Sequence, residues 1–170
     1  MKLSKEIVSL KLNRDINIIG EKIEELKKLN PAKENFEKEN YRLTLELCTW
    51  ITVAYDFWAK NDADFKRRMR ENIEVRSIFL SIKQAFNSFK HNFDIIGIGY
   101  NEQTSFESAG NSYYINHFVW LPSKFLEDDA NNKDAFEAYQ TCFEGESVVI
   151  KLNSAFQILL NELMRGKIIK

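Results

Sequence analysis

The stretch SKEIVSLKLNRDINIIGEKIEELKKL, residues 4–29 of the 170-residue chain, decides the fold. Its apolar residues recur every three or four positions, which keeps them on one face of an α-helix. The members of this stripe are Leu12, Ile16, Ile19, Ile23 and Leu26. Ser4 can cap the first turn, and the helix should end near Asn30, because a residue before proline is displaced from helical geometry. The stripe predicts a helix packed within the domain, with a short coiled-coil seam as the alternative.

Further segments of the chain show the same periodicity. Residues 34–60 are apolar most of the way round, which is typical of a helix at the centre of a bundle. Residues 63–91 combine a basic first half with an apolar stripe in the second half. Two more helices are expected at 134–143 and 147–165, the last of them ended by Gly166. Together with the first helix, these segments predict a bundle of four to five helices.

A change of composition after residue 92 predicts a small β insertion at about 93–121. Residues 93–100 are β-branched and bounded by glycine, and residues 113–121 are aromatic and β-branched, so each predicts a strand. The polar residues 101–112 between them predict a loop. The two strands should pair as a hairpin that lies against the helices, since an isolated hairpin is only marginally stable. The predicted fold class is therefore mainly α: a four- to five-helix bundle with a β-hairpin before the C-terminal helices, forming a single domain over 1–170.

Composition excludes several classes of protein. Apolar residues make up 44% and aromatic residues 13% of the chain, which is enough for a hydrophobic core and argues against intrinsic disorder. The chain has no uncharged apolar run long enough for a membrane helix, and its N-terminal residues do not resemble a secretory signal. Two cysteines do not make a disulfide framework, so a reducing cytoplasm is the expected location. Nothing in the spacing of histidines, cysteines or glycines predicts a metal ion or a cofactor.

Charge is unevenly spread along the chain, although the formal net charge is only -1. Residues 65–92 carry seven basic and two acidic residues, a net of +5, whereas residues 93–160 carry three basic and ten acidic residues, a net of -7. This asymmetry predicts two surfaces of opposite sign. The candidate RNA-binding residues of the basic part are Lys66, Arg67, Arg68, Arg70, Arg76 and Lys83. The alternatives are that the two surfaces pair with each other, within the monomer or across a dimer, or that the basic helix face is merely solvated.

A polar cluster at the end of the predicted third helix could carry chemistry. Asn87, Lys90 and His91 are three and four positions apart, so their side chains share a helix face. An imidazole can act as general base or acid in the attack of a ribose 2′-hydroxyl on phosphate, and an ammonium group can stabilise the developing charge. These three are the candidate catalytic residues. The alternative is that His91 and Lys90 stabilise the carboxyl end of the helix.

The cluster resembles the C-terminal half of the signature of the HEPN superfamily, small helical domains of toxin–antitoxin, anti-phage and other conflict systems of prokaryotes. Many members are metal-independent endoribonucleases, usually dimers that build one site from two motif copies. The signature is an Arg followed, after four to six positions, by a His. His91 matches the His, but the Arg positions hold Phe86, Ala85 or Gln84, and the nearest basic residue upstream is Lys83. Members without the full signature are generally read as binding or regulatory modules.

The resemblance implies a HEPN-like binding or regulatory module of a prokaryotic defence or toxin–antitoxin type system, acting through a protein or RNA interface. One alternative is a metal-independent endoribonuclease that uses His91. The other is an acidic inhibitor or immunity-type protein whose surface at 127–146 covers a basic partner. Thirteen Phe and three Trp also predict an exposed aromatic patch and, most simply, a homodimer. The candidates for that patch are Phe57, Trp58, Phe106 and Phe125.

Overall fold

The computed structural model describes residues 3–30, 33–91, 94–99, 105–108, 111–114, 117–126 and 132–168. Within these ranges the chain is mainly helical, with a small antiparallel hairpin before the C-terminal helices, which confirms the predicted fold class. The helices are α1 (Lys5–Lys27), α2 (Phe36–Asn61), α3 (Ala63–Glu71), α4 (Ile73–Lys90), α5 (Lys133–Cys142) and α6 (Val148–Ile168). The last helix runs past Gly166, so the predicted stop there is wrong. A glycine costs a helix only about 1 kcal/mol relative to alanine and need not end it.

The periodic stripe of α1 forms its buried face. Each of its five members is at most 3% exposed, and they pack into one core with the apolar faces of α2 and α6. Ser4 caps the helix as predicted, since its Oγ accepts a hydrogen bond from the backbone N–H of Ile7 at 3.3 Å. Gly20 allows α6 to come close, because a Cβ at this position would lie 3.0 Å from the ring of Phe156.

The prediction of one helix over 63–91 is wrong. The chain is extended at Asn72 (φ -91°, ψ 103°), where α3 ends and α4 begins. The side chain of Asn72 accepts a hydrogen bond from the N–H of Val75 at 3.1 Å, and this local bond competes with helix continuation. Asp62 likewise separates α2 from α3 and accepts from the N–H groups of Asp64 and Phe65. The basic segment is therefore divided between two helices, each of which packs against α2.

The β insertion contains two short antiparallel sheets. Strand β1 (Ile96–Gly99) pairs with β4 (His117–Trp120), which places the predicted hairpin partners side by side. Strand β2 (Ser105–Ser108) pairs with β3 (Asn111–Tyr114), so the predicted loop at 101–112 contains strand residues, and the predicted strand at 113–121 is divided between two sheets. The sequence of β2, SFES, lacks the apolar alternation from which a strand is predicted.

Trp120 anchors the hairpin to the helices. Its side chain is fully buried, with its ring centroid 4.8 Å from that of Phe143 and in edge contact with Tyr139. Its backbone N–H donates to the carbonyl of Glu146 at 3.0 Å, and its carbonyl accepts from the N–H of Gly145 at 2.9 Å. Gly145 has φ of +74°, a conformation that favours glycine. The hairpin is thus held by the connection between α5 and α6.

Candidate functional site

A basic cleft of about 220 Å³ lies between α2, α3 and α4. Arg76 and Lys83 are seven positions apart, two turns on one face of α4. The break at Asn72 allows Arg70 of α3 to contribute to the same cleft. The lining residues, in chain order, are Thr52, Tyr55, Asp56, Arg70, Arg76, Phe79, Leu80, Ile82 and Lys83. The structure therefore brings together three of the six predicted RNA-binding residues, with Asp56 as the one carboxylate among the described lining residues.

The aromatic wall of the cleft is fixed by packing. The ring of Tyr55 stacks on Phe79, with centroids 4.4 Å apart, and meets the edge of buried Phe65 at 5.7 Å. Burial raises the pKa of the Tyr55 hydroxyl, and Asp56 raises it further, while Arg70 and Arg76 act in the opposite direction. Asp56, Arg70 and Arg76 therefore all act on the ionisation of the Tyr55 hydroxyl. The hydroxyl of Thr52 is buried and has no hydrogen-bond partner among the described residues.

The three cations of the cleft differ in their existing partners. Arg76 donates to Asp134 of α5 at 2.7 Å, and both side chains are exposed. This ion pair joins the basic segment to the acidic segment, as the intramolecular alternative predicts. In the described ranges it is the one salt bridge that does so. Exposed pairs of this kind contribute about 0–1 kcal/mol, so Arg76 can exchange its partner at low cost. Arg70 and Lys83 form no salt bridge with any carboxylate in the described ranges.

The other predicted RNA-binding residues lie outside the cleft. Arg68 is half-buried, and its Nε and Nη2 both donate to one carboxylate oxygen of Glu162 on α6, at 2.9 and 2.6 Å. These hydrogen bonds raise the pKa of Arg68 and tie α3 to α6. Arg67 pairs with Asp64 at 3.1 Å on the exposed side of α3, and Lys66 is exposed. Arg68 thus has a structural partner that the sequence did not indicate.

The predicted catalytic residues lie at the carboxyl end of α4. His91 is exposed and follows the last helical residue, and its backbone N–H donates to the carbonyl of Ser88 at 3.1 Å. The Nζ atom of Lys90 lies 4.2 Å from the centre of the Phe86 ring, and Asn87 is half-buried. These three side chains are not part of the cleft lining.

The helix rise separates this cluster from the cleft. At about 1.5 Å per residue, Lys83 is about 12 Å and Arg76 about 22 Å from His91 along the axis of α4. The basic cleft and the polar cluster are therefore two separate places on one helix. Within one chain, the nearest cleft cation on α4 therefore lies about two helical turns before His91.

The cleft residues of α2 were missed by the sequence analysis. Thr52 and Asp56 are polar positions one turn apart in a helix that otherwise reads as core, and Tyr55 lies between them. Residues four apart share a helix face, so this interruption was the available signal. It marks the side of α2 that faces the cations.

The predicted aromatic patch is confirmed only in part. Phe125 is 51% exposed, whereas Phe57 is half-buried. Trp58 is only 6% exposed, so its predicted exposure is wrong. Its ring stacks on Phe65 with centroids 4.4 Å apart and an angle of 4° between the planes. The side chain of Phe106 lies outside the described residues.

In the described ranges, no three or more His, Cys, Asp or Glu side chains are grouped so that they could hold a metal ion. None of the helices in these ranges is both long and apolar enough to cross a membrane. Comparison of the chain with models of known protein families, with curated protein sequences and with solved structures gives no match.

Proposed function

We propose that this protein is an RNA-binding regulatory module and that the cleft between α2, α3 and α4 holds an RNA phosphate. The observation that carries the proposal is that Arg70, Arg76 and Lys83 line one cleft, with Asp56 as the single carboxylate among its described lining residues. The HEPN resemblance of Asn87, Lys90 and His91 without the signature Arg also supports binding rather than cleavage. The proposal extends to a cytoplasmic role in a prokaryotic defence or toxin–antitoxin type system, as this resemblance implies.

A homodimer is part of the same proposal. Apolar side chains at the start of α1 are exposed: Leu3, which precedes the helix, is 38% exposed, and Ile7 and Leu10 on its first turns are 52% and 65% exposed. Ile7 and Leu10 are three positions apart and share one face of the helix. Such an apolar face is suited to contact the same face of a second copy.

Local charge favours phosphate in the cleft although the whole chain is slightly acidic. The sequence pI of about 6.2 is lower than is usual for nucleic-acid-binding domains, about 9 or more. However, phosphate contacts depend on nearby cations, and a guanidinium can donate two parallel hydrogen bonds to one phosphate. Separating Arg76 from Asp134 costs about 0–1 kcal/mol, so a phosphate can replace this carboxylate at low cost.

The first prediction concerns the three cations together. The variant R70Q/R76Q/K83Q should bind single-stranded RNA about 100-fold more weakly than wild type, since three charge-assisted contacts are removed. The measurement is fluorescence anisotropy with a labelled RNA pool at low salt. The matched control is K5Q/K28Q/K38Q, which removes three exposed lysines outside the cleft lining and should change affinity less than threefold.

Two results would contradict the proposal. One is the absence of RNA binding by folded wild-type protein. The other is an equal loss of affinity in both triple variants, which would show that RNA responds to total charge and not to the cleft. Thermal melts of both variants establish that the comparison is between folded proteins.

The second prediction concerns the His91 cluster. We expect wild type and H91A to bind RNA equally and to leave it intact in EDTA, because His91 is not part of the cleft lining and lies about two helical turns beyond Lys83. The measurement is gel analysis of a mixed RNA pool after incubation with each protein. Cleavage by wild type that disappears in H91A would instead favour the metal-independent endoribonuclease.

A further inference from the structure

The size of the cleft limits its ligand. Pockets for drug-sized ligands have volumes of about 300–1,000 Å³. The cleft has about 220 Å³, which suits one phosphate with one sugar rather than a longer stretch of strand. The part of a ligand that lies inside the cleft is therefore one sugar phosphate.

The charge pattern of the cleft distinguishes a sugar phosphate from a bare phosphate. Cations alone would hold an inorganic anion, whereas Asp56 repels one. A carboxylate is instead an acceptor for hydroxyl groups, and an acidic side chain that accepts from a ribose hydroxyl is a recurring feature of nucleotide sites. Asp56 is exposed, and in the described ranges it forms no salt bridge that would occupy its oxygens.

We propose that the cleft recognises a 5′-phosphorylated ribose with free 2′ and 3′ hydroxyls. Arg70, Arg76 and Lys83 hold the phosphate, and Asp56 accepts from the hydroxyls. The source of this chemistry is either a free ribonucleoside monophosphate or the 3′-terminal nucleotide of an RNA. The inference rests on the proposed function, because it uses the same three cations. No base preference is expected, since Tyr55 is already stacked on Phe79 and in edge contact with Phe65.

The test compares ligands that differ only in these groups. AMP, 2′-deoxy-AMP and inorganic phosphate compete with a labelled RNA for the wild-type protein. In parallel, direct binding is measured for one RNA sequence with a 3′ diol and for the same sequence with a 3′ phosphate. If the ligand is a free nucleotide, AMP should compete at least tenfold better than 2′-deoxy-AMP and phosphate. If the ligand is an RNA end, the RNA with the 3′ diol should bind at least tenfold more tightly than the RNA with the 3′ phosphate.

Two variants assign the effect to residues of the cleft. D56A should lose the preference for the ribose diol but keep phosphate-dependent RNA binding, whereas E25A, which removes an exposed carboxylate on α1, should behave like wild type.

Failure of the inference is distinguishable from failure of the proposed function. If wild type binds RNA and R70Q/R76Q/K83Q does not, but neither the diol nor AMP has any advantage, the inference is overturned and the RNA-binding function stands. If wild type binds no RNA, the proposed function fails. AMP binding that is insensitive to D56A would also overturn the inference.

Discussion

Replacing Phe65 by alanine is expected to lower the free energy of unfolding by about 3–5 kcal/mol, as is typical of buried aromatic side chains. The Phe65 side chain is fully buried, stacks on Trp58 and meets the edge of Tyr55. It is one of the two buried residues of α3, a helix of 9 residues. A helix this short is not stable alone in water, so its packing on α2 keeps it in place.

Chemical denaturation with urea checks this prediction. A loss of this size is a large part of the 5–15 kcal/mol that stabilises a typical domain. The control is F125A, because Phe125 is 51% exposed and its removal should cost less than about 1 kcal/mol. A loss below about 1 kcal/mol for F65A would contradict the packing described for α3. Weaker RNA binding by F65A would be expected as well, since Arg70 is on the same helix.

The helices could be predicted because their signals are long and local. The stripe of α1 repeats over several turns, and each of its members is buried in the structure. The residues of α2 are apolar most of the way round the helix, which likewise predicted a central position. In the structure α2 contacts α1, α3, α4 and α6. Periodicity over many residues averages out single exceptions, which makes such predictions robust.

The breaks between elements were harder to predict because single side chains decide them. Asn72 ends one helix and begins the next through one hydrogen bond to Val75, and asparagine also occurs within helices. Strand β2 has no apolar alternation, so only its pairing with β3 reveals it. Trp58 of α2 is covered by the ring of Phe65, which belongs to the next helix, α3. The sequence does not show that these two rings stack.

The sequence predicted the basic residues of the candidate site but not the residues of its opposite wall. Charge counting along the chain found Arg70, Arg76 and Lys83, because basic residues are visible whatever the fold. It also included Arg68, whose partner Glu162 is 94 positions away in the sequence. The opposite wall at Thr52 and Asp56 was hidden in a helix that reads as core. Which cations share a cleft depends on how helices pack, and composition does not contain that information.

Raising the salt concentration from 50 to 200 mM is expected to weaken binding of RNA in the cleft about threefold. Each phosphate contact to single-stranded nucleic acid contributes about -0.7 to the slope of log affinity against log salt, and the cleft holds one phosphate. The R70Q variant should reduce the magnitude of this slope. The matched control is R67Q on the same helix, because Arg67 is exposed, pairs with Asp64 and is not part of the cleft lining.

The comparison of R70Q with R67Q separates two kinds of RNA binding. Both variants lose one positive charge from α3, so a general attraction between RNA and this helix would change both slopes equally. Binding in the cleft changes the slope for R70Q alone, since counterions are released only where a cation contacts a phosphate. Equal slopes for R70Q and wild type would exclude Arg70 from the contact. The slope thus tests whether Arg70 contacts the phosphate, independently of the small net charge of the chain.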